Sequence, residues 1–142
     1  MADAYAIAVG RFYEELAERL VDGARTVFDA AGAAADVFDV PGAFELPLAA
    51  SYCARSGRYA GVACLGAVIR GETDHYRYVC AEAATGIARV ALETGVPCAF
   101  GVLTVENMDQ ALARTGGGKR HQGEDAARAV LRMVELRREL AA

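Results

Sequence analysis

The sequence predicts an α/β fold, a three-layer αβα sandwich built on a four-stranded parallel sheet. Three observations carry that expectation. Short, nearly continuous apolar runs alternate with longer stretches whose apolar residues recur at helical spacing. Runs without a polar alternation suit strands buried on both faces, which is how parallel strands sit. Finally, every distinctive Gly- or Pro-bearing peptide follows one of those runs, at the carboxyl end where such folds bind ligands.

The elements follow in order. Tyr5-Ala6-Ile7-Ala8-Val9 is the first strand, ending at Gly10-Arg11-Phe12. A helix is expected from there to about Ala31, with Phe12, Leu16, Leu20 and Val27 on one face and Glu14, Glu15 and Arg19 on another. Gly32 stands where a C′ glycine closes a helix. Asp36–Val40 is the second strand, stopped by Pro41-Gly42. Ala43–Leu48 opens a second helix, with Pro47 near the first turn where its missing N–H is harmless. It runs to about Arg55 and closes at Ser56-Gly57-Arg58.

Ala60–Ile69 is the third strand, and a long helix is expected from about Asp74 to Thr94. Gly95-Val96-Pro97 turns into a fourth strand, Cys98–Thr104. A short helix follows from Glu106-Asn107 through Arg114. After Gly116-Gly117-Gly118, the last helix spans about Glu124 to Leu140, with Ala127, Val130, Leu131 and Val134 on one face. There are no repeats or linkers, so residues 1–142 are expected to form one domain.

Composition narrows the function classes. A chain of 142 residues is long enough to bury roughly 70% of its unfolded surface. Its 54% hydrophobic content against 24% charged is high for so small a globule, and contacts between subunits are one use for the surplus. A net charge of −4 argues against an electrostatic nucleic-acid footprint. Cys53, Cys64, Cys80 and Cys98 are widely spaced in apolar surroundings, so buried reduced thiols are expected rather than a metal or redox site. No basic n-region precedes an apolar stretch, and no run is long enough to span a membrane. The expected location is the cytoplasm.

The richest stretch is GAVIRGETDHYRYVC, Gly66–Cys80. A glycine-bearing turn from strand to helix points backbone N–H groups and the positive end of a helix dipole at one spot, which attracts phosphate. Thr73 and Asp74 are candidate N-caps there. His75, just inside the turn, can give or take a proton near neutral pH. A lone His at a helix start is also a common surface residue. Neither GxGxxG nor GxxxxGK[ST] occurs, so a small sugar-type phosphate is expected rather than a nucleotide.

Four segments, Gly10-Arg11-Phe12, PGAFELPLAA at 41–50, GAVIRGETDHYRYVC at 66–80 and GVLTVENMDQALAR at 101–114, together resemble the lumazine synthase family. They occur in family order over nearly the whole chain. The resemblance implies a flavodoxin-like strand order 2-1-3-4 and a transferase of riboflavin biosynthesis. It implies condensation of 5-amino-6-(ribitylamino)uracil with 3,4-dihydroxy-2-butanone 4-phosphate to 6,7-dimethyl-8-ribityllumazine, phosphate and water, with no cofactor and no metal. The order implied is imine formation, phosphate elimination and ring closure.

The resemblance assigns roles to residues. Phe12 matches the aromatic that stacks on the pyrimidine. Ala43, Phe44 and Glu45 match the loop holding ribityl chain and ring, and Val68 and Ile69 line the pyrimidine pocket. Glu72 and Thr73 match the phosphate cradle, where backbone amides matter more than the Glu72 carboxylate, which must point away from the anion. His75 matches the proton shuttle and Arg114 the phosphate grip. Phe100 and Arg114 are implied to reach a neighbour's site, so a homopentamer is the expected catalytic unit.

Two departures stand out. The family usually has Gly-Asn-Lys-Gly before the last helix, and the Lys position is Gln122 here; Lys119 and Arg120 are the nearby cations. Only nine residues precede Gly10, which favours free pentamers, whereas the loop before the last helix suits a 60-subunit shell. Two other readings stay open: a non-catalytic lumazine or flavin binder, and an enzyme joining two lumazines into riboflavin. The retained His75, Thr73 and Arg114 disfavour both.

Overall fold

The computed structural model describes residues 3–118 and 120–141. Strands β1 (Ala4–Gly10), β2 (Ala34–Val40), β3 (Val62–Ile69) and β4 (Cys98–Val105) form one parallel sheet in the order β2-β1-β3-β4. Helices α1 (Glu14–Ala30) and α5 (Gln122–Ala141) cover one face, and α2 (Leu46–Arg55) and α3 (His75–Thr94) the other. The short α4 (Met108–Ala113) follows β4.

Two apolar layers sandwich the sheet. Ile7, Val9, Leu65 and Leu103 point to α1 and α5, meeting Leu16, Leu20, Phe28 and Val130. Ala6, Ala8, Cys64 and Val102 point to α2 and α3, meeting Leu46, Ala50 and Ile87. Alternation along each strand divides the apolar run between the layers, and that is why the run has to be continuous.

Register makes the opening that matters. Val9 of β1 pairs with Leu65, and β1 ends one residue later. β3 continues to Ile69, paired only with β4, where Val68 lies opposite Thr104 and Ile69 opposite Val105. The final residues of β3 therefore leave an edge on the β1 side. The chain leaves β1 for β2 in one direction while β3 lies in the other, so this edge stands at the topological switch point.

Several boundaries differ from expectation. Phe12 precedes α1 and is 75% exposed, so it is not on that helix's core face. Ala43–Glu45 forms a separate 3-10 turn before α2, because the Glu45 carboxylate accepts the Gly42 N–H at 2.9 Å and tightens the entry. Asp74 makes no side-chain cap on α3; Thr73 Oγ1 accepts the His75 N–H at 3.3 Å instead. β2 is an edge strand with Asp36, Phe38 and Asp39 exposed, not a run buried on both faces. Cys53 and Cys64 are buried, whereas Cys80 and Cys98 are only half-buried. Gly32 closes α1 at φ +70, in the left-handed region as expected.

Candidate active site

A cleft of about 600 Å³ opens at the carboxyl ends of β1, β2 and β3. Phe12 and Tyr13 supply one wall, the Pro41–Glu45 loop a second, and Ala67–Ile69 the floor. Gly71, Thr73 and the first turns of α3, with His75, Tyr76 and Val79, complete it.

Local chemistry explains why these pieces converge. A Cβ at Gly10 would lie 2.9 Å from the Gly42 carbonyl carbon and 3.2 Å from the Ala43 nitrogen. Only glycine lets the end of β1 approach the β2 loop so closely, and this brings Phe12 beside Ala43–Glu45. Arg11 fastens the same corner. Its Nε donates to Asp39 at 2.8 Å, its Nη1 donates to Glu18, and its backbone N–H donates to Val40. The hydrogen bond that Arg11 donates to Asp39 is the chief cause that pushes its guanidinium pKa up. Phe12 projects from this anchored corner, edge-on to Tyr13 with ring centroids 4.9 Å apart. Its outer face is bare, as a stacking partner for a flat ligand must be.

On the opposite wall, Tyr76 is fixed from two sides. The Arg70 guanidinium lies 4.9 Å from its ring centroid and pairs with Glu106 at 3.1 Å. Burial pushes the Tyr76 phenol up, Cys80 adding to the effect and Thr104 opposing it, so the hydroxyl keeps its proton. His75 is the first residue of α3 and is exposed to the cleft. The amides of Gly71, Glu72 and Thr73 have no hydrogen-bond partner among the described residues, and they precede the positive end of α3.

Of the sequence-predicted set, Phe12, Ala43, Phe44, Glu45, Val68, Ile69, Thr73 and His75 come together in this cleft. Glu72 belongs to the same loop but not to the wall. Phe100 and Arg114 do not line it. Phe100 pairs with Cys64, four residues behind Val68, which is about 13 Å along the strand. Arg114 caps α4, and its Nη1 donates to the Gln110 carbonyl at 2.9 Å. No Lys or Arg is among the described lining residues. Lys119, one of the two cations near the Gln122 position, lies outside the described residues, and Arg120 is paired with Asp125 at 2.8 Å.

Sequence reasoning missed Tyr13, Tyr76 and Val79. Val79 lies four positions after His75 and three after Tyr76, so a helical projection from His75 would have found Val79 and, through it, Tyr76. Tyr13 carried no signal beyond its place beside Phe12. Among the described residues no cluster of three or more His, Cys, Asp or Glu is arranged to hold a metal ion, and no helix is long and apolar enough to cross a membrane.

The family model for 6,7-dimethyl-8-ribityllumazine synthase matches residues 4–138. The chain is similar to the 6,7-dimethyl-8-ribityllumazine synthase of Syntrophus aciditrophicus, with 48% identity over 96% of this chain and 90% of the relative. It is similar to the proteins of that name from Salinibacter ruber and Desulfatibacillum aliphaticivorans, each at 46% identity over 93% of this chain and over 86% and 87% of the relatives.

Proposed function

The chain belongs to the 6,7-dimethyl-8-ribityllumazine synthase family, and we propose that the cleft at the β1–β3 switch point is where it carries out that family's reaction. It is a transferase of riboflavin biosynthesis. It condenses 5-amino-6-(ribitylamino)uracil with 3,4-dihydroxy-2-butanone 4-phosphate, releasing phosphate and water. The observation that carries the site assignment is the meeting, in one cleft, of an exposed Phe12, an open β3 edge and His75.

The pyrimidine stacks on Phe12 and meets the free backbone of Val68 and Ile69, which offers the donors and acceptors a uracil edge requires. Ala43, Phe44 and Glu45 hold the ribityl chain, with the Glu45 oxygen not bonded to Gly42 available to a hydroxyl. The amides at Glu72 and Thr73 receive the phosphate. His75 moves the proton that imine formation and phosphate elimination both need, a service worth about 10²–10⁴-fold. The amine displaces the carbonyl oxygen as water, phosphate departs with its electron pair, and the second nitrogen closes the ring with loss of water.

A phosphate dianion also calls for a fixed cation, and the described residues of the cleft wall supply none. Arg114, with its planar fork of donors, suits the role if it comes from an adjacent subunit, and Phe100 would accompany it. We therefore assign the working unit as a homopentamer of single-domain subunits in the cytoplasm, standing free or assembled further into a 60-subunit shell. Exposed apolar side chains on α2 and α3, among them Leu48, Tyr52, Tyr78 and Leu92, support burial against copies of the chain.

The test is absorbance of lumazine formed from the two substrates, chelator present, with phosphate release followed in parallel. Turnover is expected. Binding of lumazine without turnover would make the protein a binder instead.

A further inference from the structure

The turn between α4 and α5 carries Arg114 at one end and is built around a histidine that the reaction does not use. His121 stands at the N-cap of α5, where its Nδ1 accepts the Glu124 N–H at 3.4 Å. Ser, Thr, Asp or Asn usually serve there, being short. An imidazole is bulky, and α1 makes room for it at Gly23, where any Cβ would fall on the His121 ring. Two residues on, Gly123 packs so closely on the Leu20 backbone that it too can carry no Cβ. The start of α5 is thus seated on α1 at both positions.

That seat is stitched to Arg114. The Gln122 N–H donates to the Arg114 carbonyl at 2.8 Å, and Thr115 bridges His121. Thr115, only 3% exposed, caps α4 through hydroxyl contacts to the Ala111 and Leu112 carbonyls. Arg120 is paired with Asp125 and Glu124 with Arg128, so neither charge competes for the imidazole.

We propose that His121 is a positioning residue for Arg114. By capping α5 and filling the space over Gly23, it fixes the turn from which the guanidinium projects. The inference rests on the reading of Arg114 as the phosphate grip.

Steady-state kinetics with both substrates test it on the intact assembly. His121→Ala should raise KM for the butanone phosphate about fivefold, the scale of a lost helix cap. KM for the pyrimidine and kcat should stay within about twofold. His121→Asn, whose side-chain oxygen can cap the same amide, should restore the phosphate-substrate KM. Gly23→Ala, which expels the ring without removing it, should reproduce the His121→Ala defect and serves if that variant does not fold. In an Arg114→Ala background, His121→Ala should add nothing, since the two act through one group.

Equal damage to both substrates, an unmoved KM, or additivity with Arg114→Ala would each overturn the inference while leaving the enzyme reading intact. A wild-type protein that forms no lumazine would overturn that reading, and the inference with it.

Discussion

His75 is the first residue of α3, is exposed, and holds no core contact that folding depends on. Its replacement should therefore separate chemistry from stability. His75→Ala is expected to lower kcat about 100-fold and to change unfolding free energy by less than about 0.5 kcal/mol. Lumazine affinity by fluorescence titration should stay near wild type; unchanged turnover would remove His75 from proton transfer. Cys98 offers a pH prediction of a different kind. Burial pushes its thiol up to about 11, while Sγ lies 3.4 Å from the Val96 carbonyl oxygen. Since only thiolate reacts, about one molecule in a thousand is reactive at pH 8, and alkylation should accelerate about tenfold per pH unit up to that value. Peptide mass spectrometry reads the rate site by site, and a flat profile between pH 7 and 9 would contradict it. At this scale sequence reading placed Phe12 and His75 in the cleft, because each lies in a distinctive peptide at a strand end. It missed Tyr13 and Tyr76, whose places in the cleft depend on what packs behind them.

At the scale of elements, strand and helix positions were legible because each apolar run is bounded by Gly or Pro. The cleft was not legible, since it arises from register. No local signal says that β3 outruns β1, or that a carboxylate at Glu45 will fold the start of α2 into a tighter turn. Nor does composition reveal that β2 is an edge strand, because its apolar residues suit either place. One glycine carries much of the geometry. Gly10→Ala puts a methyl 2.9 Å from the Gly42 carbonyl carbon, backbone against backbone, so one strand end must move. The expected cost is about 1–3 kcal/mol by denaturant unfolding. It should come with a loss of lumazine affinity larger than that of any core substitution of equal cost, because the displaced segment carries Ala43–Glu45 past Phe12. Stability and affinity falling together in the proportion of a generic core mutant would deny Gly10 that role.

For the whole molecule, the question is where the phosphate's cation comes from. The described cleft wall lacks Lys and Arg, Phe100 lies back along β4, and Arg114 belongs to a turn seated on the opposite face of the sheet from α2 and α3. If the site is shared between copies, His75 and Arg114 in any one site come from different chains. Two crippled variants then complement each other. His75→Ala and Arg114→Ala assemblies, each with low activity, can be dissociated, mixed in equal amounts and reassembled. With random incorporation, the chance that one subunit brings an intact His75 and its neighbour an intact Arg114 is about one half squared, so about a quarter of sites should recover. Recovery should follow the mixing ratio with a maximum at equal amounts, and native mass spectrometry should find mixed assemblies in the same samples. A site built within one chain behaves otherwise: no mixture contains an intact copy, and activity stays at the average of the parents at every ratio. Mixed assemblies without recovery would therefore return Arg114 to a structural role and leave His75 working in a cleft whose cation has yet to be located.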